Sequence, residues 1–324
     1  MAVTIDVTID VTMDAELSPA ILFALNEHPL QSQLCQRLPA VNGQHSTRRF
    51  PDGESYLRID TAVQDRHCIV LADLAYPDDK FLSLIFLVAT LRELGAASVG
   101  LVAPYLCYMR QDKRFSAGEA VTSRIFASQL SSQIDWLVTV DPHLHRYHAL
   151  DEIYTIPSKV VHAAPLLSQW LLSQKAMLLV GPDAESEQWV SQVASICHHP
   201  YVVGSKQRLG DTNVMVSLPD LSNFKDYTAV IIDDVIASGQ TAVKCIDALH
   251  KQGVKHIFCA SVHGIFVDGV DKVLLEKGVS QLITTNSIPH ASNMLDLSDI
   301  LVEPINQSLA LLASDVNCNT IRGS

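Results

Sequence analysis

The sequence is poor in cations, in paired cysteines and in long apolar runs. It has 23 Lys and Arg against 35 Asp and Glu, a net charge of −12, which argues against non-specific binding to nucleic acid or to an anionic membrane. None of its seven cysteines belongs to a CxxC pair, so structural zinc and a disulfide framework are disfavoured and a reducing, cytoplasmic location is expected. No segment reaches the roughly 18 consecutive apolar residues of a membrane span. The first residues also lack the basic-then-apolar pattern of a secretory signal.

The chain does contain a steady alternation of short apolar strands with helical segments. Its 324 residues are 48% hydrophobic, enough to fill the cores of two domains or of one large α/β domain. The patterns predict strands at 20–25, 67–72, 98–103, 136–140, 176–180, 229–232, 256–262 and 281–284. They predict helices at 29–38, 79–94, 121–130, 185–197 and 242–252. This alternation is typical of parallel sheets covered by helices on both faces.

Two doubly wound halves are predicted to meet near residues 150–160. We assign 18–156 to an N-terminal domain and 157–312 to a C-terminal domain. The alternating stretch at 1–17 favours an exposed strand and a frayed extension equally, and its role is unknown. Ligands of such sheets bind beyond the carboxyl ends of the strands. Five polar residues stand at those predicted ends: Asp141, Asp183, Asp233, Asp234 and His263.

The segment VIIDDVIASGQTAV, residues 230–243, joins a buried strand to a helix through a loop of small residues. Backbone N–H groups at the helix start, with the hydroxyls of Ser238 and Thr241, suit a phosphate group. Asp233 and Asp234 repel phosphate, but they can accept hydrogen bonds from hydroxyls or ligate a hydrated metal. The combination predicts a sugar phosphate as ligand. The alternative is that Asp234 only begins the helix.

Two basic segments add candidates for a polyphosphate site. The segment 104–124 contains Arg110, Lys113, Arg114 and Arg124, with Arg92 further back in the chain, and is a candidate polyphosphate clamp. In the segment 203–216, Lys206 and Arg208 are alternate residues of a predicted strand followed by a Gly-Asp tip. This pattern suits a mobile cationic lid over a reacting phosphate, although alone it equally fits an ordinary basic hairpin.

The carboxylate loop resembles the PRPP motif shared by type I phosphoribosyltransferases and PRPP synthetases. With RRFPDGESYLRI at 48–59, the basic segments and ASVHGIFVDGVDKVLLEKGVSQLITTNSIPH near the C-terminus, the chain from Arg48 to Pro304 resembles the ribose-phosphate pyrophosphokinase family. The resemblance implies two doubly wound α/β domains of the type I phosphoribosyltransferase kind. It also implies a transferase of nucleotide biosynthesis that moves the pyrophosphoryl group of Mg–ATP to the 1-hydroxyl of ribose 5-phosphate, giving PRPP and AMP.

The resemblance further implies a role for each matching residue. The residues implied to bind ribose 5-phosphate are Asp233, Asp234, Ala237, Ser238, Gly239, Gln240 and Thr241. Those implied to bind ATP are Phe50, Asp52, Glu54, Arg110, Gln111 and Lys113. Lys206 and Arg208 are the implied catalytic residues. His143, Asp183 and Asp141 are the implied Mg²⁺ ligands, with His145 as an extra candidate.

The family also implies a homo-oligomer, a dimer or a hexamer, because the loop around Asp52 reaches the site of a neighbouring subunit. Glu185 and Glu187 follow Asp183 and should repel pyrophosphate unless their side chains turn away. Two alternatives remain at this point. One is a non-catalytic regulatory paralogue of the synthetase, and the other is a phosphoribosyltransferase, which usually has a single smaller domain.

Overall fold

A computed structural model describes residues 18–208 and 214–321, without the side chains of 206–208, 214–215 and 313–321. The stretch at 1–17 and the predicted Gly-Asp tip at 210–211 lie outside the described residues. Within the described part, no helix is both long enough and apolar enough to cross a membrane.

The first half of the chain forms a six-stranded parallel sheet with an antiparallel hairpin beside it. The strands are β1 (Ala20–Ala24), β2 (Ala40–Asn42), β3 (His45–Arg49), β4 (Ser55–Ile59), β5 (His67–Leu71), β6 (Ser98–Ala103), β7 (Trp136–Val140) and β8 (Ser158–Val161). The helices are α1 (Leu30–Arg37), α2 (Asp78–Glu93) and α3 (Thr122–Ser131), and α4 (Ala164–Leu172) follows β8 and packs into the core of the second half. The sheet order is β2-β1-β5-β6-β7-β8, and β3 pairs with β4 in the hairpin.

The second half builds another six-stranded parallel sheet. Its strands are β9 (Met177–Gly181), β10 (Tyr201–Val203), β11 (Ser205–Arg208), β12 (Val214–Ser217), β13 (Thr228–Ile236), β14 (Ile257–Gly264), β15 (Val279–Thr285) and β16 (Asn293–Leu295). Its helices are α5 (Glu187–Cys197), α6 (Gln240–Lys251), α7 (Val270–Glu276) and α8 (Ser298–Ile321). The order is β10-β9-β13-β14-β15-β16, with β11 and β12 forming a hairpin. Each half therefore has the same strand order and a hairpin inserted after its second strand.

The predicted fold of two parallel α/β sheets flanked by helices is confirmed, but the boundary at residue 156 is wrong. Ser158–Val161 form β8, which pairs in parallel with β7 of the first sheet. Helix α8 also returns to the first half, where Leu297, Leu301 and Ile305 are buried in one core with Leu30 and Leu34 of α1. Burial of these leucines outweighs their distance along the chain. The two halves are thus interleaved rather than consecutive.

The predicted strand at 229–232 is too short. Strand β13 continues through the two acids to Ile236, because β14 offers a partner along its whole length: Asp233 pairs with Ser261 and Val235 with His263. His263 accordingly lies within β14 instead of following it. Several elements escaped the pattern analysis, namely β2, β8, β10, β16, α4, α7 and α8. Most of these are short, and α8 lacks a clear apolar stripe in its sequence.

Candidate active site

A cavity of about 950 Å³ lies where the carboxyl ends of the two sheets face each other. The first half contributes Arg110 and the loop after β7, including His143 and His145. The second half contributes Asp183 after β9 and the whole segment from Asp233 to Ala242. All seven residues expected to bind ribose 5-phosphate therefore line one cavity, as do all three expected metal ligands. Their roles stay predictions.

The two adjacent acids of β13 have opposite protonation preferences. Burial and the negative charge of Asp234 raise the pKa of Asp233 well above its usual value. Burial opposes ionisation of Asp234 as well, but its bond to His143 outweighs burial and lowers the pKa of Asp234 to about 2. Asp234 is therefore the ionised member, while Asp233 favours its proton until a ligand or a cation compensates its charge.

The loop after β7 reaches across to the second half through His143. Its Nδ1 makes a short bond with Oδ2 of Asp234. Burial lowers the pKa of His143, yet the hydrogen bond and attraction to Asp234 outweigh burial and raise that pKa overall. The bond holds the candidate metal ligand against one of the two acids of β13.

A second histidine joins the halves underneath the cavity. His263 is buried and its Nε2 lies 3.1 Å from the carbonyl oxygen of Val140 at the end of β7. Its Nδ1 lies 2.9 Å from Oγ of Ser287. Burial lowers the pKa of His263, so a neutral ring donates from Nε2 to the carbonyl and accepts at Nδ1. His263 thus fixes the ends of β7 and β14 to each other.

The loop between β13 and α6 presents helix N–H groups to the cavity. Gly239 has φ of +64°, a left-handed conformation, and a Cβ there would come within 2.5 Å of Val270. The loop is anchored from behind, because Ile265 N–H donates to the carbonyl of Ile236 and Val267 N–H to that of Ala237. The first turn of α6 has no acid. This arrangement suits an anion such as phosphate.

Two of the three expected metal ligands also perform a structural task. Asp141 accepts hydrogen bonds from His162 Nδ1, at 2.8 Å, and from Ala163 N–H, at 2.8 Å, just before α4. Asp183 accepts from the N–H groups of Glu185 and Ser186, at 3.1 and 3.4 Å. Among the described residues, no group of three or more His, Cys, Asp or Glu is arranged to hold a metal ion.

The donor set nevertheless fits Mg²⁺, which usually takes one or two protein carboxylates and fills its remaining positions with water and phosphate. The raised pKa of Asp233 reflects burial first and then the negative charge of Asp234 at the cavity wall. A divalent cation beside the pair would compensate that charge. The residues therefore fit a cation that arrives with its phosphate ligand, and they do not form a ready-made cage.

The candidate ATP residues fall into two groups. Arg110 lines the cavity, and Gln111 and Lys113 follow it in the same segment. Phe50, Asp52 and Glu54 lie at the tip of the β3–β4 hairpin, where Glu54 N–H donates to Oδ1 of Asp52. These three do not line the cavity of their own chain. Arg48 lies 4.5 Å from the Phe50 ring centroid.

The remaining candidate cations are spread out. Lys206 and Arg208 stand at alternate positions of β11, paired with Val216 and Val214, and their side chains lie outside the described part. Arg92 does not belong to the proposed clamp. It pairs with Asp135, which precedes β7 at the opposite edge of the sheet, at 2.9 Å.

Of the two acids that should repel pyrophosphate unless their side chains turn away, one lines the cavity and the other does not. Glu185 lines the cavity with 70% of its side chain exposed, 4.0 Å from His145 Nε2, whereas Glu187 is not among the lining residues. The sequence interpretation missed His162, which also lines the cavity. Recognising β8 as a strand would have placed His162 at a carboxyl end beside Asp141.

Comparisons with known proteins agree with this geometry. A model of the N-terminal domain of ribose phosphate pyrophosphokinase matches residues 20–133, and a phosphoribosyl transferase domain model matches residues 149–292. A ribose-phosphate pyrophosphokinase from Methanobrevibacter smithii is 34% identical over 78% of this chain and 88% of its own length. One from Saccharolobus solfataricus is 33% identical over 81% and 89%.

A solved structure supports the fold over nearly the whole chain. The phosphoribosylpyrophosphate synthetase from Mycobacterium smegmatis matches with a TM-score of 0.77, covering 91% of this chain and 99% of that one at 24% identity. The repeated sheets, the carboxylate loop and the sequence relatives agree. The chain therefore belongs to the ribose-phosphate pyrophosphokinase family.

Proposed function

We propose that the protein transfers the pyrophosphoryl group of Mg–ATP to the 1-hydroxyl of ribose 5-phosphate, forming PRPP and AMP. The supporting observation is the single cavity into which the second half projects a carboxylate pair and a helix N-terminus, while the first half projects Arg110 and His143. One wall suits a sugar phosphate and the other suits a polyphosphate. Two anionic substrates can therefore meet at the junction of the sheets.

The second half holds the acceptor sugar. The 5-phosphate lies against the N–H groups of α6 and the hydroxyls of Ser238 and Thr241. Asp233 and Asp234 accept hydrogen bonds from the two ribose hydroxyls, and the ionised Asp234 is the stronger acceptor. Fixing both ends of the sugar directs the 1-hydroxyl toward the first half.

The first half holds the donor. Arg110 and Gln111 contact the nucleotide, with Lys113 beside them, and the oxygen of the ribose 1-hydroxyl attacks the β-phosphorus while the bond to the α-phosphate oxygen breaks. Lys206 and Arg208 stabilise the charge that spreads over the non-bridging oxygens. His143, Asp183 and Asp141 would hold Mg²⁺, directly or through water, and the ion would supply further neutralisation of the triphosphate.

The hairpin tip completes the nucleotide site of a second copy. Phe50, Asp52 and Glu54 lie outside the cavity of their own chain, which supports a homo-oligomer, a dimer or a hexamer, in which each tip covers a neighbour's adenine.

We place the enzyme in the cytoplasm. Its six described cysteines are free and five of them are buried, which supports a reducing compartment.

The regulatory-paralogue alternative draws on one observation. Glu185 lines the cavity and adds a negative charge where the triphosphate is proposed to lie. A paralogue of that kind binds ATP without converting it.

One experiment separates the alternatives. The protein is incubated with ribose 5-phosphate, Mg–ATP and phosphate buffer, and AMP and PRPP are quantified by chromatography. Equal amounts of both products, dependent on ribose 5-phosphate and abolished by chelation, support the proposal. Tight ATP binding without AMP would indicate the regulatory paralogue. AMP made only from PRPP and adenine, with release of pyrophosphate, would indicate a phosphoribosyltransferase.

A further inference from the structure

A carboxylate is buried in the middle of the basic segment that carries the proposed ATP residues. Asp112 follows Arg110 and Gln111, and its side chain is only 1% exposed. Arg146 Nη1 donates to both of its oxygens, at 2.7 Å to Oδ1 and 2.9 Å to Oδ2. A buried carboxylate requires such a partner, because an unpaired charge in the interior is costly. The partner comes from a different loop, the one that follows β7.

A second tie joins the same two loops through the backbone. The Tyr147 hydroxyl donates to the carbonyl oxygen of Asp112 at 3.1 Å. Because that proton is engaged, the Ser123 hydroxyl is the donor in its 3.0 Å bond to the Tyr147 oxygen. Ser123 lies in the first turn of α3, and its N–H donates to the carbonyl of Gln111. The backbone on both sides of Asp112 is therefore held.

A third contact secures the end of the segment. The guanidinium of Arg146 lies 5.5 Å from the ring centroid of Phe115, and the ammonium of Lys113 lies 5.1 Å from the same ring. The ring thus accepts two cations while the basic segment turns back on itself. Arg146 contacts the segment at Asp112 and again at Phe115. A single nitrogen, Nη1, makes the first contact, so a lysine ammonium can replace it there, but lysine stacks less well in the second contact.

The topology explains why this contact reaches the cavity. Strands β6 and β7 are neighbours in the first sheet, so the loops that follow them leave at the same edge. Arg110 lines the cavity from the first loop, and His143 and Tyr147 line it from the second. Arg146 stands three residues after His143 and bonds the residue two positions after Arg110. Arg146 therefore links the loop of Arg110, which is expected to bind ATP, to the loop of His143, which is expected to bind the metal.

We infer that Arg146 is a positioning residue for the nucleotide, which acts through its bond to Asp112 to hold Arg110 and Gln111 in place against the loop that carries His143. This inference rests on the proposed function. Neither Arg146 nor Asp112 contacts the substrate in this arrangement. Breaking the bond between Arg146 and Asp112 should weaken the binding of Mg–ATP. The ribose 5-phosphate wall in the second half should stay intact.

The test compares four variants: Arg146→Met, Arg146→Lys, Asp112→Asn and the Arg146→Met/Asp112→Asn double. Arg146→Met is expected to raise the KM for Mg–ATP about tenfold through misplacement of its contacts, with the KM for ribose 5-phosphate changed less than about twofold. Arg146→Lys should restore part of the loss. The double variant should bind Mg–ATP no worse than Arg146→Met, because the two residues act as one unit. It also removes the buried unpaired charge, so it guards against simple failure to fold.

A matched ion pair provides the control. Arg92, in the last turn of α2, pairs at 2.9 Å with Asp135, in the loop before β7, and the arginine has a comparable exposure, 39% against 45% for Arg146. They lie at the opposite edge of that sheet. Arg92→Met and Asp135→Asn should lower Tm without changing either KM. If Arg146→Met lowered Tm in the same way and left the KM for Mg–ATP unchanged, its role would be structural only and the inference would be wrong.

Calorimetric binding of Mg–ATP without ribose 5-phosphate separates the two proposals. If the wild-type protein binds Mg–ATP but forms no AMP, the proposed reaction fails. In that case weaker nucleotide binding by Arg146→Met would still support the positioning role. If Arg146→Met binds Mg–ATP as tightly as the wild type, the inference fails whatever the turnover. A wild-type protein that neither binds nor uses Mg–ATP would overturn both.

Discussion

The two halves of the chain are the same fold carrying different chemistry. In each, the third strand of the sheet order, β5 or β13, runs through the core and is followed by a loop and a long helix. Near the end of β13, two acids line the cavity, and α6 begins behind a left-handed glycine with no acid in its first turn. After β5, α2 begins with two acids, Asp78 and Asp79, which leave no place for an anion.

A different acid in the loop after β5, Asp73, forms an ion pair within the first half. Asp73 is mostly buried and its Oδ1 accepts a hydrogen bond from Lys80 Nζ at 2.6 Å. The counterpart acids within β13 are balanced instead in part by His143, which comes from the other half. Strand order thus provides a place for a ligand in each half, and we expect the loop residues to direct phosphate to the second half.

The largest effect is expected from removing Lys206, the cation proposed to act from the β11–β12 hairpin of the second half. Lys206→Ala is expected to lower kcat about a thousandfold through lost stabilisation of the transferring group. The affinity for ribose 5-phosphate should be unchanged, because the lysine acts on the donor. Steady-state kinetics and calorimetry check the two parts. Lys251→Ala, at the far end of α6, is the matched control, and a large loss of sugar affinity in Lys206→Ala would contradict the assigned role.

The next largest effect is expected from giving α6 the acidic first turn of α2. Gln240→Glu preserves shape and adds one charge beside the proposed phosphate. At about 5 Å and an effective dielectric of 20 the repulsion is about 3 kcal/mol, so ribose 5-phosphate should bind about a hundredfold more weakly. The reverse change in the first half, Asp79→Asn, should leave binding unaltered. If Gln240→Glu and the wild type bound ribose 5-phosphate with equal affinity, the proposal that the 5-phosphate lies at the N-terminus of α6 would be wrong.

A third experiment compares the acids themselves. Asp233→Asn should weaken ribose 5-phosphate binding about tenfold, because the amide replaces a carboxyl group that can ionise once the sugar and the cation are bound. Asp73→Asn should leave that affinity unchanged and destabilise the fold by roughly 2 kcal/mol, since it strands Lys80, which retains some solvent contact. Calorimetry with the sugar and denaturant unfolding measure the two quantities.

Asp233→Asn should also stabilise the protein in chelator at neutral pH. Because its folded pKa is raised, the ionised Asp233 costs stability only above the unfolded value near 3.8, and the cost grows as pH rises through the folded pKa. The gain in Tm should therefore disappear toward pH 4. A gain that is the same at pH 4 and pH 7, or a loss of stability at neutral pH, would contradict this assignment.

A fourth experiment compares the hairpins inserted at the same place in each half. We expect the β3–β4 tip to serve a neighbouring subunit and β11 to serve its own. Asp52→Ala and Lys206→Ala should each have little activity, and a reassembled equal mixture should recover about a quarter of wild-type activity, since half of the random dimers have one intact site. No recovery after verified subunit exchange would place both hairpins at the same subunit's site.

Much of this could be predicted from the sequence where a local pattern was strong. β6 and β7 were predicted with the correct bounds because their runs are mostly apolar and end at Pro104 and at Asp141. The carboxylate loop was predicted because small residues and adjacent acids in one short segment satisfy local rules. The placement of α8 on the first sheet was not predictable, since its contact with Leu30 and Leu34 joins distant parts of the chain.

Local sequence patterns were enough to predict the alternation of strands and helices, the carboxylate loop and the basic segments, because each depends on neighbours along the chain. Only the tertiary structure decided that β13 continues through the acids, that β8 belongs to the first sheet and that Asp112 pairs with Arg146. It also decided that Asp141 and Asp183 cap local backbone and that the hairpin tip lies outside its own cavity. Most of these outcomes depend on contacts between residues that are distant along the chain, because burial and charge pairing are decided by neighbours in space.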